Sequence, residues 1–109
     1  MPTQTLARRR RLREAAAPSN RELRDLISVG PAIERALHSL GVRSVAQLAR
    51  SKPEALYNNL CRLRGRGIDP CCLDTFVAAV AQARDAKLPA EKCVWWYWSG
   101  VRKAREASR

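Results

Sequence analysis

The chain has 109 residues, of which 46% are hydrophobic and 28% charged, so it can bury the core of one small domain. Its 21 Lys and Arg outnumber its 10 Asp and Glu, and this formal charge of +11 indicates a polyanionic partner, either nucleic acid or an acidic membrane surface. We expect no membrane span, because no apolar run approaches the roughly 18 residues that one requires, and no secretory signal. The composition also excludes a multidomain enzyme and the usual secreted disulfide scaffold.

Both ends of the chain are basic. The N-terminal block is rich in arginine: Arg8, Arg9, Arg10, Arg11 and Arg13. It is typical of a disordered tail, although a basic arm along phosphates or a localisation signal has the same composition. A similar block near the C-terminus contains Arg102, Lys103, Arg105 and Arg109. We therefore predict a flexible arm at 1–18, a folded domain at 19–98 and a basic tail at 99–109.

Helix start and stop signals recur through the folded domain, and no long segment alternates with a period of two residues. Ser19 with Glu22 has the form of a capping box and predicts a first helix. Pro31 begins a second helix that stops at Gly41, and Ser44 begins a short third one. Ser51 with Glu54, and Pro53 between them, begins a fourth helix that stops at Gly65. Asp69-Pro70 begins a fifth that ends near Ala86, and a short element containing Trp95 and Trp98 follows.

A weak internal repeat relates two of these starts. Val29-Gly30-Pro31 and Ile68-Asp69-Pro70 both open helices, and the same offset aligns Leu37 with Phe76. Two helix–tight turn–helix units joined by a connector helix at 44–50 would explain the repeat, and coincidence is the alternative. The predicted fold is all-α, a compact domain of five to six helices with two pseudo-repeated units.

The turn Ser28-Val29-Gly30-Pro31 is the sharpest candidate for a binding site. A glycine turn that leads into a helix leaves backbone N–H groups unpaired at the positive end of the helix dipole, where one phosphate can bind. An ordinary corner between two helices has the same local sequence. The candidate phosphate-binding residues are Ser28, Val29, Gly30, Ala32, Arg24, Arg35 and Arg43.

The segment from Leu26 to Leu48 resembles a helix-hairpin-helix DNA-binding motif. Most of the chain is also similar to a small bacterial family named for a pathogenicity locus and also called mitomycin-resistance proteins. The residues that carry this wider resemblance are Pro53-Glu54-Ala55-Leu56-Tyr57, Leu60-Cys61, Asp69-Pro70-Cys71, Asp74, Phe76 and Trp95-Trp96-Tyr97-Trp98. The resemblance implies a helix-hairpin-helix fold and contact with DNA, and the mitomycin name does not by itself show a drug-related activity.

The chain departs from the general hairpin pattern at a few positions. Ser28 stands where the first glycine is usual, and Ala32 where a basic residue often follows Gly-Pro. Asp69 replaces the glycine of the second hairpin, and its carboxylate would cap the helix and repel a phosphate. We therefore expect one functional hairpin and one structural copy, and leave open whether the second hairpin around Gly67 and Asp69 binds phosphate with help from nearby arginines.

The cysteines and the single histidine do not form a recognisable catalytic or metal site. The spacing of Cys61, Cys71, Cys72 and Cys93 matches no zinc finger, so we expect small core residues, with zinc binding or a reactive thiol as alternatives. His38 has no partner fixed by a motif. We predict no enzyme activity, no metal and no cofactor.

All three tryptophans lie within residues 95–98. Trp95 and Trp98 share a helix face, which favours a lid over the core; a stacking platform for unpaired bases or a protein contact is the alternative.

The sequence thus predicts a basic, cytoplasmic and nucleoid-associated protein that binds duplex or structured DNA through the backbone, without strong sequence preference. A protein–protein module that uses the hairpins and the Trp cluster is the alternative, and membrane binding is disfavoured.

Overall fold

A computed structural model describes residues 21–108, and these form five α-helices and two short 3₁₀ turns without a strand. The helices are α1 (Pro31–Ser39), α2 (Val45–Ala49), α3 (Pro53–Arg64), α4 (Pro70–Arg84) and α5 (Trp95–Ala107). The 3₁₀ turns are Leu23–Asp25 and Ala90–Lys92. The all-α prediction is therefore confirmed for this part of the chain.

Local signals determine where most helices begin and end. Proline occupies the first helical position of α1, α3 and α4, where its missing N–H costs no hydrogen bond. Ser44 caps α2 by accepting a hydrogen bond from the Gln47 N–H at 3.1 Å. Gly65 ends α3 with φ of +67°, a left-handed conformation that glycine adopts without steric cost.

The helix predicted to begin at Ser19 is replaced by a 3₁₀ turn at Leu23–Asp25, and Ser19 itself lies outside the described residues. The Asp25 carboxylate accepts from the Glu22 N–H at 2.7 Å and closes a capping box over this single turn. Leu26 then takes an extended conformation, so the chain turns before a second helical turn can form. The expected N-terminal arm at 1–18 also lies outside the described residues.

Helix α4 lies at the centre of the fold and packs against α2, α3 and α5. Its Phe76 is fully buried, and small residues such as Ala78 and Ala79 let neighbouring helices approach closely. The core that surrounds it is formed mainly by Leu23, Leu26, Leu37, Leu48, Leu60 and Val80.

The C-terminal segment differs from the sequence expectation. Residues 99–107, which were assigned to a basic tail, continue α5 to Ala107. The physical reason is a tertiary contact, because Arg102 pairs with the buried Asp74 of α4. Basic composition alone gave no sign of this contact.

Candidate functional site

The N-terminus of α1 is not capped by a side chain. Gly30 is the N-cap residue, with φ of −97° and ψ of −173°, and its carbonyl accepts from the Glu34 N–H at 2.9 Å. Within residues 21–108, no acceptor is bonded to the N–H groups of Ala32 and Ile33. A Cβ placed on Gly30 would meet no atom of the described residues within 4 Å, so this position has room for a side chain.

Two of the predicted phosphate-binding residues already use their donors inside the protein. The Ser28 hydroxyl donates to the Cys93 carbonyl, and the Val29 N–H donates to the Leu26 carbonyl at 3.1 Å. The Val29 side chain is buried in the core. These two residues therefore fix the turn against the rest of the fold, and the donors left at the helix end belong to Gly30, Ala32 and Ile33.

The three candidate arginines are all exposed, but their surroundings differ. The Arg24 guanidinium lies 3.4 Å from the Glu34 carboxylate, in the first turn of α1. Among residues 21–108, no carboxylate lies within 4.0 Å of Arg35 or Arg43. The Arg43 N–H donates to the Gln47 side chain at 2.6 Å, which fixes its backbone and leaves its guanidinium for other contacts.

At the second turn, between α3 and α4, an aspartate side chain caps the N-terminus of the helix that follows. Asp69 is the N-cap residue of α4 and accepts from the Cys71 N–H at 2.8 Å. This backbone hydrogen bond and a further one from the Cys71 side chain lower the pKa of Asp69, so the group stays ionised at neutral pH. The N-cap role expected for Asp69 is confirmed, and its negative charge occupies the position that a phosphate would take.

Three of the four cysteines have a thiol pKa above the ordinary value, which lowers their thiolate fraction at neutral pH. Burial raises the pKa of Cys72 and Cys93, and the Asp69 hydrogen bond together with burial raises that of Cys71. In the described part of the chain, no three His, Cys, Asp or Glu side chains come together as a possible metal site.

The tryptophans do not form the lid that their spacing predicted. Trp98 is half-buried and its indole N–H donates to the Lys92 carbonyl at 2.7 Å. Trp95 and Trp96, in contrast, are 38% and 62% exposed. The lid prediction is therefore wrong for Trp95, because the helix turns its first residues toward solvent.

An open pocket of about 130 Å³ lies between α4 and α5, beside the Asp74–Arg102 pair. Its lining is Glu54, Leu73, Asp74, Val77, Trp98, Val101, Arg102 and Arg105. The buried carboxylate at its base is held by two nitrogens of Arg102, so it is not free to act as a base.

None of the helices that the structure describes combines the length and apolar character needed to cross a lipid bilayer.

Comparison with known proteins places the chain in a family by its sequence. The chain is 37% identical over 82 residues to "Mitomycin resistance protein McrB" of Streptomyces lavendulae, and this alignment covers 75% of the chain and 74% of the relative. No solved structure gives a significant match. The family model Cdd1, described as "Pathogenicity locus", matches residues 17–104. The chain therefore belongs to the Cdd1 pathogenicity-locus family.

Proposed function

We propose that this protein binds DNA through the sugar–phosphate backbone, without strong sequence preference, and that the N-terminus of α1 holds one phosphate. The observation that carries the proposal is the uncapped end of α1 at Gly30, where the N–H groups of Ala32 and Ile33 lack an acceptor. Backbone donors at a helix N-terminus favour an anion through both hydrogen bonds and the dipole. Arg35 and Arg43 add positive charge that no carboxylate of residues 21–108 neutralises.

The contrast between the two turns supports a helix-hairpin-helix interpretation in which only the first hairpin binds a phosphate. Both turns lead into a helix that begins with proline, and the aligned residues Leu37 and Phe76 are both fully buried. Gly30 leaves its helix end open, whereas Asp69 fills the equivalent position with a carboxylate. In this proposal the second hairpin is a structural copy that supports the first.

The experiment replaces Gly30, the N-cap residue of α1, by aspartate, the N-cap residue of α4. Gly30→Asp provides a side-chain cap for α1 and places a negative charge at the proposed phosphate site, so the fold should become more stable while DNA affinity falls. We expect a loss of about tenfold or more in affinity, because a hydrogen bond to a charged group contributes about 1.5–3 kcal/mol. Anisotropy on two unrelated duplexes measures the affinity, and thermal melting measures the stability.

Gly67→Asp is the matched control. It adds the same charge at another glycine where a side chain would meet no atom within 4 Å. If both variants lose affinity equally, the effect is one of net charge and the site assignment fails. If the unchanged protein binds neither duplex at low salt, the DNA-binding proposal itself fails.

A protein–protein contact is the second candidate function, and the exposed Trp95 and Trp96 favour it. Large aromatic side chains are enriched at protein interfaces. A protein that binds no DNA but self-associates or captures a partner only when these indoles are intact would support this alternative.

A further inference from the structure

Two indoles at the start of α5 are exposed side by side. The ring centroids of Trp95 and Trp96 lie 5.8 Å apart at 86°, an edge-to-face arrangement, and Trp96 is 62% exposed. The next two aromatic side chains make contacts inside the protein. Trp98 donates to the Lys92 carbonyl, and Tyr97 packs edge-to-face on Trp98. The outermost indole of this cluster therefore has an open surface.

Gly100 leaves the helix surface that follows Trp96 without a side chain. It lies one helical turn after Trp96, and in a helix the side chain at that spacing leans back toward the preceding turn and covers it. Glycine is unfavourable inside a helix. Neither packing nor backbone conformation requires it here, because a Cβ on Gly100 would meet nothing within 4 Å and its φ is not positive. Gly100 therefore leaves room on this face of α5 for a longer side chain, although a Cβ alone would not reach the indole.

The charges around this surface are suited to a polyanion. Lys103 falls on the same helix face two turns after Trp96 and is exposed. The Lys92 ammonium lies 6.0 Å from the centre of the Tyr97 ring. The first turn of α5 contains no acidic residue, and Glu106 is paired with Arg102 at 3.0 Å. An exposed indole beside cations is the arrangement that stacks on a base while a neighbouring phosphate is neutralised.

We propose that Trp96, exposed at the start of α5 and accompanied by Lys103, is a stacking platform for an unpaired base of single-stranded DNA. This inference rests on the proposed DNA-binding function and adds to it a preference for unpaired segments. A base in a duplex has both faces stacked on its neighbours, so only a single strand can offer a free face to the indole. An apolar side chain of a partner protein would use the ring but not the cations.

The test compares a single-stranded oligothymidine with a duplex of the same length, using the full chain and fluorescence anisotropy at one salt concentration. Trp96→Ala removes the platform and should weaken single-strand binding about tenfold while duplex binding stays unchanged. Gly100→Leu keeps the indole but covers its flank, and should produce the same selective loss with the helix content maintained. Leu63→Ala is the matched control, because Leu63 is a similarly exposed hydrophobic residue, at 59%, on another helix.

A second readout follows the indole itself. Oligothymidine should quench the tryptophan emission of the unchanged protein, and Trp96→Ala should remove most of that quenching. The inference is overturned if both α5 variants bind the single strand as tightly as the unchanged protein, in which case the indole pair serves a protein contact. If these variants still bind duplex DNA, the proposed function stands without the stacking platform. If the unchanged protein binds neither the single strand nor the duplex, both proposals are wrong.

Discussion

The guanidinium of Arg102 donates hydrogen bonds from two nitrogens to the carboxylate of Asp74 across the interface between α5 and α4. Nε lies 3.0 Å from Oδ1, and Nη2 lies 3.1 Å from Oδ2. Asp74 is only 1% exposed, so its charge depends on this one partner. The same hydrogen bonds raise the pKa of Arg102, which keeps its guanidinium charged. Arg102 also reaches Glu106 one turn later and so connects the end of α5 to the core.

Removal of Arg102 should therefore destabilise the fold strongly. Arg102→Met leaves a buried carboxylate without a counter-charge, and we expect the melting temperature to fall by roughly 10 °C or more. Adding Asp74→Asn to this variant should recover part of the loss, because the uncompensated charge is gone. Arg105→Met, an exposed arginine on the same helix, is the control; an equal effect of both arginine variants would contradict the assignment.

The Asp69 cap predicts a pH dependence with a definite sign. Its pKa is lower in the folded protein than the ordinary value of 3.8, so its stabilisation is present above that pH and is lost as the pH falls through the folded pKa. Asp69→Asn keeps a capping oxygen that does not titrate. The difference in melting temperature between the two proteins should be constant near neutral pH and should shift in favour of the Asn variant in acid. A difference that is independent of pH would contradict this prediction.

The glycines at 65 and 100 should respond in opposite ways to alanine. Gly65 has φ of +67°, so Gly65→Ala should lower stability by about 1 kcal/mol. Gly100 is inside α5 without positive φ or close neighbours, so Gly100→Ala should raise stability by about 0.5–1 kcal/mol. Urea unfolding followed by circular dichroism measures both. A Gly65→Ala variant as stable as the unchanged protein would contradict the constraint at Gly65, and a destabilised Gly100→Ala variant would contradict the expectation for Gly100.

Thiol labelling should separate the buried cysteine from the rest. Cys93 is 3% exposed and burial raises its pKa, so it should react with an aromatic disulfide reagent only when the protein unfolds. Cys93→Ser identifies its share of the labelling. Fast reaction of Cys93 in the folded protein at neutral pH would show that the turn before α5 opens.

The N-terminal arm should contribute to binding mainly through charge. We expect a chain without residues 1–18 to show a log–log salt slope near −3 on duplex DNA, at about −0.9 for each of three or four phosphates, and the full chain to be steeper. The comparison removes only the arm, because a cut after residue 98 would also remove Arg102 from Asp74. Equal slopes for the two chains would exclude contact of the arm with phosphate.

Sequence reasoning succeeded where the determinant is local. The starts at Pro31, Pro53 and Pro70 and the stop at Gly65 depend on a few neighbouring residues, and the structure confirms them. It failed where distant residues decide the outcome. The length of α5 depends on a partner in α4, and the exposure of Trp95 depends on how α5 is set against the core, which helical spacing alone does not specify.

The candidate site, too, was predictable only in the features that depend on neighbouring residues. The sequence identified Gly30 as an open helix start and Asp69 as a closed one, because capping is a property of single positions. It did not reveal that Ser28 and Val29 already donate hydrogen bonds to the carbonyls of Cys93 and Leu26. The first of these hydrogen bonds joins residues that are far apart in the chain.

Two further arginines are occupied inside the fold. Arg21 donates to the carbonyls of Gln82 and Ala83 at 2.9 and 3.1 Å, and Arg84 donates to those of Ala49 and Ser51 at 2.7 and 3.0 Å. Carbonyls do not cancel a charge, so both arginines still add to the long-range field that draws a polyanion toward the surface. Each guanidinium, however, uses two of its five donors in this way, so fewer donors remain for a phosphate. The protein should therefore associate with DNA as fast as its full charge implies, yet release fewer counterions than a count of its basic residues suggests.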